Sequence, residues 1–270
     1  MNRSLAALCM FSLASHAIAG VSYSTDGRLV QAVNSFGQNS AKTPLIPFAP
    51  FNETVQTSTD MAEGACASTS MHNSQMTSTQ MSGTGSVAAN VQTKASSPLV
   101  FAASGTSRFE VLFTPDTSST LHLTGTLAGT AGRSTLSVQL RLGNNVLFTK
   151  STAGAFDFQT LVTQNQEYRL LVSSAANSLL TWSGTPVASS SSAGFSFNAD
   201  FTSSTCVGDL NLDGFVDDLD FGIFAPAYNI LDCADPTMPA GCPADLNRDG
   251  LVDDIDFTIF VPAYDALVCP

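Results

Sequence analysis

The sequence predicts a mostly β protein: an antiparallel β-sandwich of jelly-roll type followed by a small α-helical module. Three observations carry that prediction. Apolar and polar residues alternate through most of residues 21–205, interrupted at short intervals by turn signals. A 29-residue segment repeats near the C-terminus, and the chain's excess acid is gathered there. The 270 residues divide accordingly into 1–19, 20–204 and 205–270.

The alternation places one face of each strand in a core and the other in water. Phe109, Val111 and Phe113 form one such run, and Leu136, Val138, Leu140 and Leu142 another. Phe156 and Phe158 flank Asp157, and Tyr168, Leu170 and Val172 continue the pattern. Phe195, Phe197, Ala199 and Phe201 close it. Thr114-Pro115-Asp116, Gly143-Asn144-Asn145, Gln164-Asn165-Gln166 and Gly184-Thr185-Pro186 read as turns. The stretch 65–91 is nearly all Ser, Thr, Ala, Gly, Met, Gln and Asn, and reads as long shallow strands. Residues 44–51, rich in proline, are expected to cap the core, and Ser189–Ser192 to form a loop tip.

Residues 1–19 read as an export signal. Arg3 precedes an apolar run over 5–14, and Ala17-Ile18-Ala19 offers the small residues a signal peptidase reads. The run is too short to span a membrane. The mature protein is therefore expected to be secreted or on the cell surface, with no membrane span. Five cysteines remain after cleavage, and Cys66 is the odd one, expected to stay alkylatable in the folded monomer.

Net charge is −12, from 10 Lys and Arg against 22 Asp and Glu. Residues 206–270 hold 13 Asp and one base, Arg248, so that segment alone carries −12. Nucleic acid and anionic lipid would be repelled, and the segment must bind cations or stay unfolded. No catalytic constellation is legible. His72 and His122 match no metal-ligand spacing, and no G-x-S-x-G elbow occurs. If the chain is an enzyme, a carboxylate pair in the sandwich would make it a glycoside hydrolase. The lone Trp182 reads as a core residue rather than a sugar platform.

The repeat carries the chemistry. Residues 206–234 and 242–270 align at an offset of 36 with 18 identities. Each contains D-x-N-x-D-G-x-V-D-x-x-D, the spacing of an EF-hand calcium loop. In the first loop the ligands would be Asp209, Asn211, Asp213, the carbonyl of Phe215, Asp217 and Asp220. In the second they would be Asp245, Asn247, Asp249, the carbonyl of Leu251, Asp253 and Asp256. Gly214 and Gly250 permit the sharp turn at position 6. An all-oxygen set selects Ca²⁺ over zinc or copper. Two ions are expected. The four cysteines of the repeats, Cys206, Cys233, Cys242 and Cys269, allow three disulfide connectivities.

The paired loops resemble the type I dockerin repeat of secreted bacterial proteins, over roughly a quarter of the chain. Position 12 is Asp220 and Asp256, and the segments before Asp209 and Asp245 are too short for an entering helix, as in that family. The resemblance implies loop-plus-exiting-helix units, a cohesin-like protein partner and a place in polysaccharide-degrading assemblies. It also implies a pseudo-twofold packing of the repeats, which favours Cys206–Cys269 with Cys233–Cys242. The chain departs from the family at loop positions 10 and 11, Asp218-Leu219 and Asp254-Ile255, and its helices lack Lys and Arg. Pro226 and Pro262 are expected to kink or end those helices. The function expected is that of a non-catalytic surface or matrix protein in which the module connects the sandwich to a protein partner. The alternatives are a carbohydrate-binding accessory and a glycoside hydrolase.

Overall fold

The computed structural model describes residues 20–203, 207–211, 213–247 and 249–267. Residues 1–19, expected to be an export signal, and Cys206 and Cys269 lie outside the described residues. The chain divides into two compact units, one over Ala19–Ser204 and the other containing Thr205–Pro270.

The first unit is two stacked antiparallel sheets. In chain order its strands are β1 (Val21–Asp26), β2 (Leu29–Asn34), β3 (Asn39–Lys42), β4 (Phe51–Asp60), β5 (Gly64–Met76) and β6 (Gln80–Thr93). Then come β7 (Val100–Pro115), β8 (Ser119–Gly129), β9 (Ser134–Leu142), β10 (Asn145–Lys150) and β11 (Gly154–Val162). β12 (Tyr168–Thr181) and β13 (Ala188–Ser203) complete it. One sheet has seven strands in the order β10-β9-β12-β7-β2-β3, with β1 also on β7; the other has six, β11-β8-β13-β6-β5-β4. From β7 onward the chain passes repeatedly between the sheets, whereas β4, β5 and β6 form a meander within one.

The period-two runs become the inner faces. Phe109, Val111, Phe113, Leu140, Tyr168, Leu170 and Val172 of the first sheet are all buried, opposite Leu121, Leu123, Phe195, Phe197 and Phe201 of the second. Phe109 and Phe197 meet with ring centroids 4.7 Å apart, joining the two sheets directly. Leu142 and Phe158, at the ends of their runs, are only partly buried. Under 65–91 most inward residues are small, among them Ser68, Ser70, Ser74, Val87 and Ala89, with His72 and Met81 the large exceptions. The sheets approach closely there. A Cβ at Gly105 would lie 2.2 Å from the Ser70 hydroxyl oxygen, so only glycine fits.

Four expectations are corrected. Trp182, expected in the core, lies just past the end of β12 and is only half-buried. Ser189–Ser192 is not a loop tip: it lies inside β13 and pairs with Val91–Ala88 of β6, because Ser189 and Ser191 turn inward against the small-residue part of the core. Residues 44–51 do not cap the core with all their apolar side chains. Leu45 is 100% exposed and Ile46 70%, while Phe48 stacks on Tyr23 and Phe51 is buried. Pro44, Pro47 and Pro50 fix φ along the segment, so its side chains are not free to turn together toward the core. Cys66 is free, but buried, so it is not open to alkylation in the folded unit; burial pushes its thiol pKa up.

The second unit holds two helices, α1 (Asp218–Ile230) and α2 (Asp254–Ala266), each leaving an acidic loop. Asp217 and Asp253 cap them: each side chain accepts from the amide two residues on, and Asp220 or Asp256 reaches back to the cap amide. The helices do not end at Pro226 and Pro262 but run four residues further. Leaving only one amide–carbonyl bond unmade in each, the prolines are tolerated where Phe224 and Phe260, equivalent in the two repeats, stack at 4.8 Å in the unit's own small core.

Candidate functional site

The two acidic loops fold alike because their sequences place short acceptors at matched positions. In the first, Asp209 at position 1 accepts from the amides of Asp213 (3.1 Å) and Gly214 (2.8 Å). In the second, Asp245 does the same for Asp249 (3.1 Å) and Gly250 (2.9 Å). Gly214 and Gly250 take φ of 95° and 92°, the left-handed region that lets the chain reverse there. Asp220 and Asp256, fully buried at position 12, each accept three backbone amides: those of positions 2 and 3 at one oxygen and of position 9 at the other. Asn211 and Asn247 accept from the amide two residues on through their side-chain oxygens.

Asp209, Asp213 and Asp220 bring carboxylate oxygens within 4.8 Å of one another. Burial raises the Asp209 pKa, and the charges of Asp220 and Asp213 add to it, outweighing the amides of Gly214 and Asp213. Crowded, partly desolvated carboxylates of this kind can hold a metal ion. The donor set is all oxygen, which fits a hard cation. Of the other predicted ligands, Asp217 and Asp253 serve as helix caps, and Phe215 and Leu251 carry exposed side chains, leaving their carbonyls as the groups of interest.

Cys233 and Cys242 are joined by a disulfide with Cα atoms 5.5 Å apart, consistent with an extracytoplasmic protein. Their sulfurs converge with a carboxylate oxygen of Asp245 within 4.8 Å. That second cluster could hold a metal only with the disulfide opened, since thiolate is the ligand. The pairing of Cys206 with Cys269 falls outside the described residues.

Sequence reading missed the cross-repeat contacts. Tyr228 donates to Asp254, and Tyr264 to Asp218, two exposed bonds related by the repeat. The signal was present in the recurrence of Asp at loop position 10 and of Tyr ten residues after it. It also missed a polar network inside the sandwich. Fully buried Arg28 donates to Asp26 (2.6 Å), to the Ala49 carbonyl (2.8 Å) and to the Ser74 hydroxyl (3.2 Å). His72 lies 2.9 Å from the Ser74 hydroxyl and 3.0 Å from that of Ser107. Burial pushes its pKa down to about 4, with the Arg28 charge adding to the effect. Burial would raise Asp26, but hydrogen bonds from the Arg28 side chain and from the Phe48 and Arg28 amides outweigh it and hold the carboxyl below its usual range. A small depression of about 110 Å³, lined by Met71, Asn73, Thr84 and Ser86, reaches His72 from outside.

The outward face of the six-stranded sheet carries shallow depressions. One of about 370 Å³ is lined by Asn73, Gln75, Ser82, Thr84, Thr124 and Asn198, and another of about 370 Å³ by Ser58, Asp60, Asn90, Gln92 and Ser190. No outward-facing residue of β4, β5, β6, β8 or β13 is Lys or Arg, whereas Arg108, Arg141 and Arg169 lie on the seven-stranded sheet.

The fold and site thus define a two-sheet β-sandwich protein with a C-terminal pair of helices and an acidic cluster. No family model and no curated protein matches the chain. Among solved structures, that of infectious bursal disease virus Gx strain aligns at 9% identity and TM-score 0.22, over 70% of this chain and 58% of that one. A GH31 alpha-xylosidase from Xanthomonas citri aligns at 10% identity and TM-score 0.20, over 73% and 30%. The chain thus spans less than two thirds of either. Among the described residues no helix is long and apolar enough to cross a membrane.

Proposed function

We propose that the chain is an exported, calcium-binding surface or matrix protein whose C-terminal module, dockerin-like, joins the sandwich to a protein partner. The observation that carries this reading is the convergence of Asp209, Asp213 and Asp220 on one point in a loop whose sequence is repeated with every oxygen donor retained. Two Ca²⁺ would add four positive charges to a segment of −12 and relieve part of its self-repulsion. The residues that would hold them are the six named for each loop. The partner surface is supported by apolar side chains left outside on both repeats: Leu219 is 65% exposed and Ile255 54%, beside Phe221 and Phe257. An apolar patch rimmed by carboxylates is a recognition feature rather than a folding one. Calorimetric titration of the full chain with Ca²⁺ tests the first half: two sites are expected, and one site or none would refute it. Affinity capture from a native surface fraction tests the second half. A single partner held with Ca²⁺, and released by EDTA or by Leu219→Asp with Ile255→Asp, is expected.

A second reading, the carbohydrate-binding accessory, is favoured by the outer face of the six-stranded sheet, whose described strands carry no Lys or Arg. Its hydroxyls and amides can donate and accept toward neutral sugars, while the nearby Lys94 is already paired with Asp60 and leaves a polyanion little counter-charge. Retention on insoluble glycans, lost in Asn73→Ala with Asn198→Ala, is the expected sign of it.

A further inference from the structure

We infer that the Cys233–Cys242 disulfide is a positioning device for the second acidic loop, fixing the carbonyl of Leu251 toward the ion site; this rests on the calcium reading above. The segment just after α1 does not simply trail away. Leu231, Asp232 and Cys233 run antiparallel to Gly250, Leu251 and Val252, positions 6 to 8 of the loop. The Val252 amide donates to the Leu231 carbonyl (2.7 Å), the Cys233 amide donates to the Gly250 carbonyl (3.1 Å), and Asp232 bridges Leu251. In antiparallel pairing, successive residues turn their backbone groups to opposite sides. Gly250 and Val252 face the 231–233 segment, so the Leu251 groups face away from it. The Leu251 amide shows that direction, since it donates to the Asp249 carboxylate at 2.9 Å, inside the loop. Its carbonyl, the backbone ligand at position 7, is turned the same way.

What keeps 231–233 in place is covalent. Cys233 is bonded to Cys242, and Cys242 stands at the entry to the loop, where its carbonyl accepts from the Asp245 amide at 3.2 Å. The Cys233 sulfur lies 3.5 Å from the Asp245 carboxylate, the position-1 ligand. One half-cystine therefore holds the loop's entry and the other its far strand, in a ring with a sequence separation of 9. The second loop is the less enclosed of the two: Asp245 is half-buried and Gly250 exposed where the equivalent Asp209 and Gly214 are buried, while Leu251 and Phe215 are exposed alike. Cys242 itself sits at a φ of 47°, a conformation a non-glycine residue adopts only when its surroundings impose it.

The test compares the full chain with its Cys233→Ser, Cys242→Ser variant. In the metal-free proteins, the Val252 amide should exchange with solvent at least tenfold faster in the variant. The Gly214 amide, held by Asp209 in the first loop, should be unchanged. Calorimetry in an Asp209→Ala background, which leaves the second loop alone, should show its Ca²⁺ affinity down at least tenfold without the disulfide. In an Asp245→Ala background the first loop's affinity should not move. Unchanged Val252 exchange overturns the inference. So does equal acceleration at Val252 and Gly214, because the disulfide would then hold the whole module, or its fold, rather than one loop. Selective acceleration at Val252 in a chain that binds no Ca²⁺ would keep the clamp and sink the calcium reading.

Discussion

Tyr228 of α1 donates its hydroxyl to Asp254 at the start of α2, and the repeat-related Tyr264 donates to Asp218 at the start of α1. Each repeat thus ends against the beginning of the other. The same exchange appears in the rings, where Phe224 lies 6.0 Å from Phe257 and Phe221 lies 6.3 Å from Phe260. The accepting carboxylates raise both tyrosine pKa values through those hydrogen bonds. Tyr228→Phe and Tyr264→Phe should each lower the melting temperature of the module, and the pair should be nearly additive, since the two bonds share no group. Differential scanning calorimetry of the single and double variants reads this out. No shift in either single variant would show the bonds to be inert.

The calcium reading predicts linkage. At a Ca²⁺ concentration 100 times Kd, each independent site should stabilise the module by about 2.7 kcal/mol. Asp209→Ala and Asp245→Ala should each abolish one site and its share of the thermal shift. A melting temperature insensitive to Ca²⁺ and EDTA would rule the sites out.

His72 should make the sandwich acid-sensitive. Its pKa is about 4 folded against an ordinary 6.5, so the unfolded chain binds the extra proton between those values. Stability from this group is complete above pH 6.5 and is lost as pH falls toward 4, at up to about 1.4 kcal/mol per pH unit. The charged groups facing it are Arg28 and Asp26, while Ser74, Ser107 and the rings of Phe51, Phe109 and Phe195 make up the rest. Asp26, held below its usual range, acts only at lower pH. Urea midpoints measured from pH 7 to pH 4.5 should fall in the parent and flatten in His72→Gln. Equal slopes in the two proteins would assign the acid sensitivity elsewhere.

The sandwich should fold without the module, because its core is its own. Residues 20–204 expressed alone should melt cooperatively, with Cys66 alkylated only after denaturation. Phe197→Ala, which removes the ring meeting Phe109, should cost about 3–5 kcal/mol. Val146→Ala, exposed on β10, should stay within about 0.5 kcal/mol. A non-cooperative melt of the isolated sandwich would mean that the module supplies part of its core.

What could be read from residue order was whatever repeats at short range. Alternation in 109–113 or 195–201 reveals an inner face, because side chains in a strand point to opposite sides whatever lies beyond. The loop spacing of Asp209 to Asp220 is equally local: the acceptors bond amides two to ten residues away. Ser189–Ser192 and residues 44–51 went unread for the opposite reason. A serine inside β13 is distinguishable from one in a turn only by the small residues that pack on it, and those of β6, such as Ala89 opposite Ser191, lie far away in the chain. The same holds for Arg28, a surface residue by type, which is buried only because Asp26, Ser74 and the Ala49 carbonyl happen to meet it. The Leu251 carbonyl is the sharpest case. Its place in the loop follows from the spacing, but its direction depends on pairing with Leu231–Cys233, some 20 residues earlier, and on the disulfide that keeps that pairing shut.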